Sequence, residues 1–342
     1  MPKTILHVAK WFPNPEDPQN GVFVEKHINS TAEDPHYIAF VDFAGPPIER
    51  KNGTIYGARV MSATAKFAVF VAKFNQLKPD LVHFHCFTPD IVPMAWWCKK
   101  DGTPYIHSEH WSGFLPDNLD KFSLHKRSLA SWYFRSAERV LPVSSILAKG
   151  IKSISPKAKI TVLPNIVDGK LDATIEKRPV KSFCVVADIH FSNKKQDLLL
   201  EVFKMLDRVK FEMHFYGGGP DLERLKKLAS PMLNVYVHGR KTNAEILEAL
   251  PQHHALILFS NYETFGITPL EARKAGLWAI MKPTFGAADY ADEGCLMANN
   301  EVELVEQMEK AMAMPLPGPA AFEELSSESI GNRLNELYES LN

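Results

Sequence analysis

Residues 256–276, LILFSNYETFGITPLEARKAG, hold the densest set of groups able to do chemistry. An apolar run ends at Phe259, a polar loop follows over 260–266, and a helix opens near Thr268 and Pro269. Pro269 suits a first helical turn, and Gly266 lets the backbone come close to a ligand. The amides of Phe265, Gly266 and Ile267 then stand at a helix N-terminus, which favours an anion. Glu263 in the loop and Glu271 in the first turns can point into one pocket. A plainer reading of the same spacing has Glu271 complementing the helix dipole and Glu263 in solvent. Elsewhere, His83 and His85 alternate on one strand face beside Cys86. No carboxylate stands at metal-ligand spacing, so they read as packing or ligand-lining residues and no metal site is expected.

The elements that must position these groups are set by size and pattern. A chain of 342 residues exceeds what one hydrophobic core usually serves, so two domains are expected. A net charge of −1 lacks the basic excess of a general nucleic-acid binder. It conceals a split, with +5 over residues 1–168 and −6 over 169–342. The four cysteines are dispersed without a C-x-x-C pair, which fits a reduced, cytoplasmic setting. The N-terminal apolar run of about five residues is too short for a signal peptide. No apolar stretch approaches the roughly 20 residues that span a bilayer.

Short β-rich runs alternate with helical patterns along almost the whole length. Strands are expected at 5–9, 37–41, 81–85, 105–108, 139–143 and 160–163, with helices at 24–30, 66–77, 91–100, 120–136 and 145–153. After a polar break the alternation resumes with strands at 183–186, 212–216, 235–238, 256–259 and 278–281. Helices fall at 196–209, 221–228, 244–250, 269–275, 302–313 and 327–341. Such alternation is the signature of parallel βαβ construction. The chain therefore reads as α/β, with two Rossmann-like domains facing across a cleft. Their expected bounds are 1–168, a linker at 169–179, a second domain at 180–316, and a helical tail at 317–342 that packs back toward the first domain. Ligands in open α/β sheets bind in the loops leaving the strand ends.

Several motifs fall in one order along the chain. Residues 256–276 resemble the E-x-F-G-x-x-x-x-E-A signature of retaining GT-B glycosyltransferases, the family 4 or group 1 type. KITVLPNIVD (159–168), FYGGGPDLERLKKLA (215–229), PDLVHFHCFTPD (79–90) and PYIHSEHWSGF (104–114) are similar to further elements of that family. So is the N-terminal WFPNPEDPQNGVFVEKH. The resemblance implies a GT-B fold and a hexosyltransferase that moves a sugar from a nucleotide-diphosphate donor, UDP- or GDP-linked, to an acceptor hydroxyl with retention. It further implies no cofactor and no metal, since the D-x-D motif of the other major glycosyltransferase fold is missing.

The resemblance also implies roles for residues. Glu271 would bind the ribose hydroxyls and Glu263 the sugar hydroxyls, with the Phe265, Gly266 and Ile267 amides near the sugar and distal phosphate. Lys194, or Lys195 beside it, would neutralise the leaving diphosphate. Gly21 would keep the first strand–helix loop clear of the diphosphate. His110, at a first-domain strand end, would face the sugar, while His107 sits along the strand. Three departures stand out: Asp188 where the family has an arginine, Ile166 where it often has glycine, and Phe285-Gly286-Ala287 in place of an acidic Gly-Gly turn. Asp188 keeps open a non-catalytic or weakly active nucleotide-sugar-binding relative, or an epimerase of the same fold. The acceptor is expected to be a glycan or lipid-linked molecule of cell-surface glycan or glycolipid synthesis. Segment 120–139 carries Lys121, Lys126, Arg127, Arg135 and Arg139 with Phe122, Leu129, Trp132 and Phe134, which suits peripheral contact with the inner membrane face.

Overall fold

The computed structural model describes residues 3–31, 35–168, 178–206 and 210–341. The chain divides into two compact units, Met1–Ile166 with Glu323–Asn342, and Val167–Phe322. Residues 169–177 of the expected linker and 207–209 of the expected helix 196–209 lie outside the described residues.

In the N-terminal unit the strands are β1 (Ile5–Ala9), β2 (His36–Val41), β3 (Ile48–Glu49), β4 (Gly53–Gly57), β5 (Leu81–His85), β6 (Tyr105–Glu109) and β7 (Arg139–Pro142). Helices α1 (Val22–Asn29), α2 (Ala63–Leu77), α3 (Val92–Asp101), α4 (Leu124–Ser136) and α5 (Ser145–Ile154) connect them. The sheet order is β3-β4-β2-β1-β5-β6-β7, parallel except for the β3–β4 hairpin. Every residue of β5 and β6 is buried, as expected of strands covered on both faces. Residues 160–163 run alongside β7, with Thr161 N donating to the Val140 carbonyl and Leu163 N to the Pro142 carbonyl, both at 3.0 Å, but only Ile160 completes a bridge; Leu163 and Ile166 turn into the core. Ser123 caps α4 through its side chain, so the helix starts there and not at Asp120.

The C-terminal unit holds β8 (Lys181–Val186), α6 (Phe191–Lys194), α7 (Gln196–Phe203), β9 (Phe211–Tyr216), α8 (Leu222–Ala229), β10 (Val235–Gly239), α9 (Asn243–Ala249), β11 (Ala255–Leu258), α10 (Ile267–Lys274), β12 (Trp278–Met281), β13 (Cys295–Met297) and α11 (Glu301–Ala313). Its six parallel strands run β10-β9-β8-β11-β12-β13. Numbered from the first strand of the unit, this is 3-2-1-4-5-6, the doubly wound order. A core of Phe183, Phe203, Phe215, Ile257 and Ile280 fills one face.

The last helix, α12 (Ser327–Ser340), belongs to the N-terminal unit. Its Ile330, Leu334 and Tyr338 pack with Leu81, Ile106, Leu141 and Ile166. Ile166 is fully buried in this cluster, so a glycine there would leave a cavity.

Candidate functional site

In a doubly wound sheet the ligand crevice opens where the strand order reverses. In the C-terminal unit that point lies between β8 and β11, and the loops leaving these strands are 187–195 and 259–266. The two loops are stitched together. Asn261 donates its backbone N–H to the Asn193 carbonyl at 2.7 Å and its side-chain amide to the Ser192 carbonyl at 2.7 Å. The Tyr262 N–H donates to Asn193 Oδ1 at 3.2 Å. This clasp sets Lys194 against Glu263, whose carboxylate accepts from Lys194 Nζ and from Ser260 Oγ. Both side chains of the pair are largely buried, at 20% and 15% exposure.

Helix α10 opens at Gly266, which has φ 86° and caps without a side chain. A non-glycine residue there would be strained, and its Cβ would lie 3.2 Å from Leu258 Cδ2. The first-turn amides therefore receive no side-chain cap and suit an anion. Phe265 anchors the turn with a buried ring, and its carbonyl accepts from Ala287 N at 2.7 Å. The Phe285-Gly286-Ala287 loop thus braces the helix mouth from behind. Glu271, the fifth residue of α10, is 6% exposed. The helix is held by Arg273, which is 1% exposed and forms a bidentate pair with Asp292 at 2.7 and 2.8 Å.

Cations gather at this switch point. Lys195 links α6 to α7 with φ 57°, a left-handed conformation stored in the loop. Burial pushes the Lys282 ammonium down from its ordinary pKa, repulsion from Lys195 adds to that, and Glu301 opposes it. Lys282 lies just past β12, its Nζ 4.5 Å from the Phe259 ring centroid. Asp188 does not stand unopposed: its side chain is 74% exposed and lies 3.9 Å from the Arg240 guanidinium. Lys282 and Arg240 were not singled out in the sequence; a cation directly after a parallel strand is the signal for both.

The N-terminal unit has its own switch point, between β1 and β5. Gly21 lies in the first loop with φ 68°, but a Cβ there would meet the Trp11 carbonyl carbon at 2.3 Å and Phe12 N at 2.5 Å. Glycine is required by the chain's own backbone, whatever else binds nearby. His110 directly follows β6; it is 4% exposed, and its ring nitrogens make no well-aligned hydrogen bond, the Asn165 side chain being the polar group beside it. Burial drives its pKa well below the ordinary value, with His27 and His107 adding to the effect and the Asn165 side chain opposing it. Its ring sits 4.8 Å from Phe23 and 5.3 Å from His27.

His110 is held by a residue the sequence reading passed over. Glu109 is fully buried; its Oε1 accepts the amides of His110 and Trp111, both at 2.8 Å. Its Oε2 accepts from the Phe87 amide at 3.1 Å and His107 Nε2 at 3.0 Å. His107 lies within β6, with the Tyr133 hydroxyl 3.0 Å from Nδ1. Beside this loop is a cavity of about 210 Å³ walled by Trp11, Phe87, Trp111 and Phe122, with Lys10 and Lys126 on its lining. Within the basic segment 120–139, Phe134 is fully buried and Phe122 lines this cavity, leaving Leu124 as the large apolar side chain that stands out, at 79% exposure. Phe134 therefore offers no area to a membrane. No described helix is long and apolar enough to cross one.

Comparison with known proteins agrees with this construction. Residues 28–170 match the model of Glycosyltransferase Family 4, and residues 175–326 that of glycosyl transferases group 1. Among curated protein sequences none matches the chain. Among solved structures, sucrose-phosphate synthase from Thermosynechococcus elongatus superposes with a TM-score of 0.79 at 12% identity, over 99% of each chain. A UDP-forming trehalose-phosphate synthase from Burkholderia xenovorans, in complex with glucose-6-phosphate, gives 0.75 at 11% identity, over 98% of this chain and 100% of the other. A lipopolysaccharide outer core galactosyltransferase gives 0.71 at 16%, over 98% and 99%. The chain thus carries one glycosyltransferase family match in each α/β unit, on the GT-B fold that it shares with these enzymes.

Proposed function

We propose that the protein transfers a sugar from a nucleotide diphosphate to an acceptor hydroxyl with retention of anomeric configuration, without a metal or other cofactor at the reacting centre. The observation that carries this reading is the clasp of loops 187–195 and 259–266 at the doubly wound switch point, with Lys194 paired to Glu263 beside an uncapped helix mouth. A donor diphosphate offers Lys194 a stronger partner than Glu263, and Lys195 and Lys282 add positive charge. Glu263, released, accepts from sugar hydroxyls, and the Phe265, Gly266 and Ile267 amides take the distal phosphate. Glu271, buried on the same helix, binds the ribose. His110 and the Gly21 loop are the contribution of the N-terminal unit to sugar and phosphate binding.

As the glycosidic bond breaks, charge builds on the diphosphate, and fixed cations stabilise it most where water is excluded. The departing phosphate accepts the acceptor's proton, so the site has no need of a strong base. UDP is the favoured nucleotide, because the trehalose-phosphate synthase neighbour is UDP-forming and another neighbour was solved with UDP. The acceptor side falls to the aromatic cavity of Trp11, Phe87, Trp111 and Phe122, whose Lys10 and Lys126 suit a glycan or lipid-linked acceptor bearing an anionic group. An acceptor of this kind suits a role at the cytoplasmic face of a membrane, in cell-surface glycan or glycolipid synthesis. The test is release of nucleoside diphosphate from a panel of UDP- and GDP-sugars. Glu263→Gln and Lys194→Ala should each lower turnover on the order of 10²–10³. Unchanged turnover in both removes the assignment.

A further inference from the structure

The histidines that alternate along β5 are joined by a third that the sequence places 76 residues from the nearer one. β1 pairs with β5 so that His7 stands opposite His83, and the rings of His7, His83 and His85 lie with centroids 4.1, 5.3 and 5.4 Å apart. All three are at most 1% exposed. One ligand nitrogen from each lies within 4.8 Å of the others, and His7 Nδ1 and His85 Nε2 share a hydrogen bond at 3.1 Å, whose proton an ion would replace. Two nitrogens on a tetrahedral ion with bonds of about 2.0–2.1 Å stand roughly 3.3–3.4 Å apart, so this pair is already near chelating separation.

The surroundings fit a ligand set better than an apolar core. Both ring nitrogens of His83 are hydrogen-bonded, Nδ1 to the Tyr338 hydroxyl and Nε2 to the Ser108 hydroxyl, each at 2.8 Å, so to ligate an ion His83 must release one of them. The hydroxyl that stays on the other nitrogen then fixes the ring, as an outer partner does for a metal-ligating histidine. His85 Nε2 is committed to His7, and its Nδ1 is the one nitrogen of His83 and His85 that is buried with no hydrogen-bond partner. There is also a way in. A cavity of about 430 Å³ has His7 and Tyr338 on its wall, together with Glu339 and with His36, whose Nδ1 is buried and unpartnered.

We propose that His7, His83 and His85 bind one divalent first-row transition metal ion, of the zinc and cobalt class, entering through this cavity. Three imidazoles without a carboxylate favour such ions over magnesium or calcium, which need oxygen donors. A fourth position is left for water, and Glu339 supplies negative charge on the entry wall. Because β1 and β5 provide the ligands and α12 provides Tyr338, a bound ion fastens the C-terminal helix to the sheet. The site shares no residue with those assigned to glycosyl transfer, so its role is in holding the N-terminal unit together.

The test titrates chelator-treated, full-length protein with Co²⁺ and reads visible absorption. One equivalent bound with the intense bands of tetrahedral cobalt, together with a rise in melting temperature on adding Zn²⁺, is the expected result. His85→Gln and His7→Gln should weaken binding at least about tenfold. His125→Gln, exposed on α4, should leave it unchanged. Weak octahedral absorption, or equal binding in His85→Gln and His7→Gln, overturns the site. Should the variants not fold, X-ray absorption on zinc-loaded wild-type protein decides. Three imidazole nitrogens at about 2.0–2.1 Å support the site, and an oxygen-only shell or failure to retain zinc overturns it.

Discussion

Replacing Glu109 probes how the His110 loop is held. Its carboxylate accepts four hydrogen bonds in a fully buried position, three of them from backbone amides. Glu109→Gln converts one oxygen to a donor. The cheaper orientation puts the new NH₂ at the Oε2 position, because His107 can switch tautomer and accept from it. That leaves the Phe87 amide alone without an acceptor, at about 1–3 kcal/mol. Glu109→Ala strands all three amides and opens a cavity, so its cost should be at least about 3–6 kcal/mol. With a urea m-value of about 2 kcal/mol/M, the Gln variant should lose roughly 0.5–1.5 M in midpoint, and the Ala variant more than about 1.5 M. Hydrogen exchange should be faster at His110 and Trp111 in the Ala variant and unchanged there in the Gln variant. If the Gln variant is as stable as wild type and the Ala variant falls by under about 1 kcal/mol, the carboxylate does not hold this loop.

Gly21→Ala places a Cβ within 2.5 Å of two backbone atoms of Trp11 and Phe12 and demands a left-handed alanine. Strain and backbone displacement together should cost roughly 2–5 kcal/mol, read as a lowered melting temperature even in the absence of any nucleotide. Acid should destabilise the fold early. Burial lowers His27 and His214 to about 4 and His253 to about 2, from 6.5. The unfolded chain therefore binds more protons below pH 6.5, and stability present above that value is lost as pH falls toward 4. Each such group contributes a slope of up to about 1.4 kcal/mol per pH unit. Urea midpoints flat between pH 7 and 4 would contradict the burial of these neutral rings.

What the sequence made legible follows from the range of each physical signal. Periodicity is local, so nearly every long strand and helix could be placed, with ends off by a few residues. The β3–β4 hairpin escaped because β3 is two residues long and stands directly after Pro46-Pro47, and β13 because three residues carry no period. The segment 160–163 pairs with β7 through its backbone but completes one bridge only, and Leu163 packs in the cluster with α12, which comes more than 150 residues later. The candidate donor site was legible where loop chemistry is local, in Glu263, Gly266 and Glu271. The partners that shape it are not local. Asn193 meets Asn261 only through the strand order, Arg240 reaches Asp188 from another loop, and Glu109 is recognisable as an anchor only once three amides converge on it. Gly21 reads in the sequence as a point of close approach, and the structure adds one approaching group that the sequence does not reveal, the backbone of Trp11 and Phe12.

The central claim is sugar transfer with retention at the Lys194–Glu263 site. The most direct measurement is time-resolved proton NMR of the wild-type protein turning over an α-linked nucleotide sugar, read at the anomeric proton of the first product. An α-linked product is expected at the earliest time points, with formation slowed on the order of 10²–10³ in Lys194→Ala. A β-linked first product, or an α-linked product formed at an undiminished rate without Lys194, would contradict it.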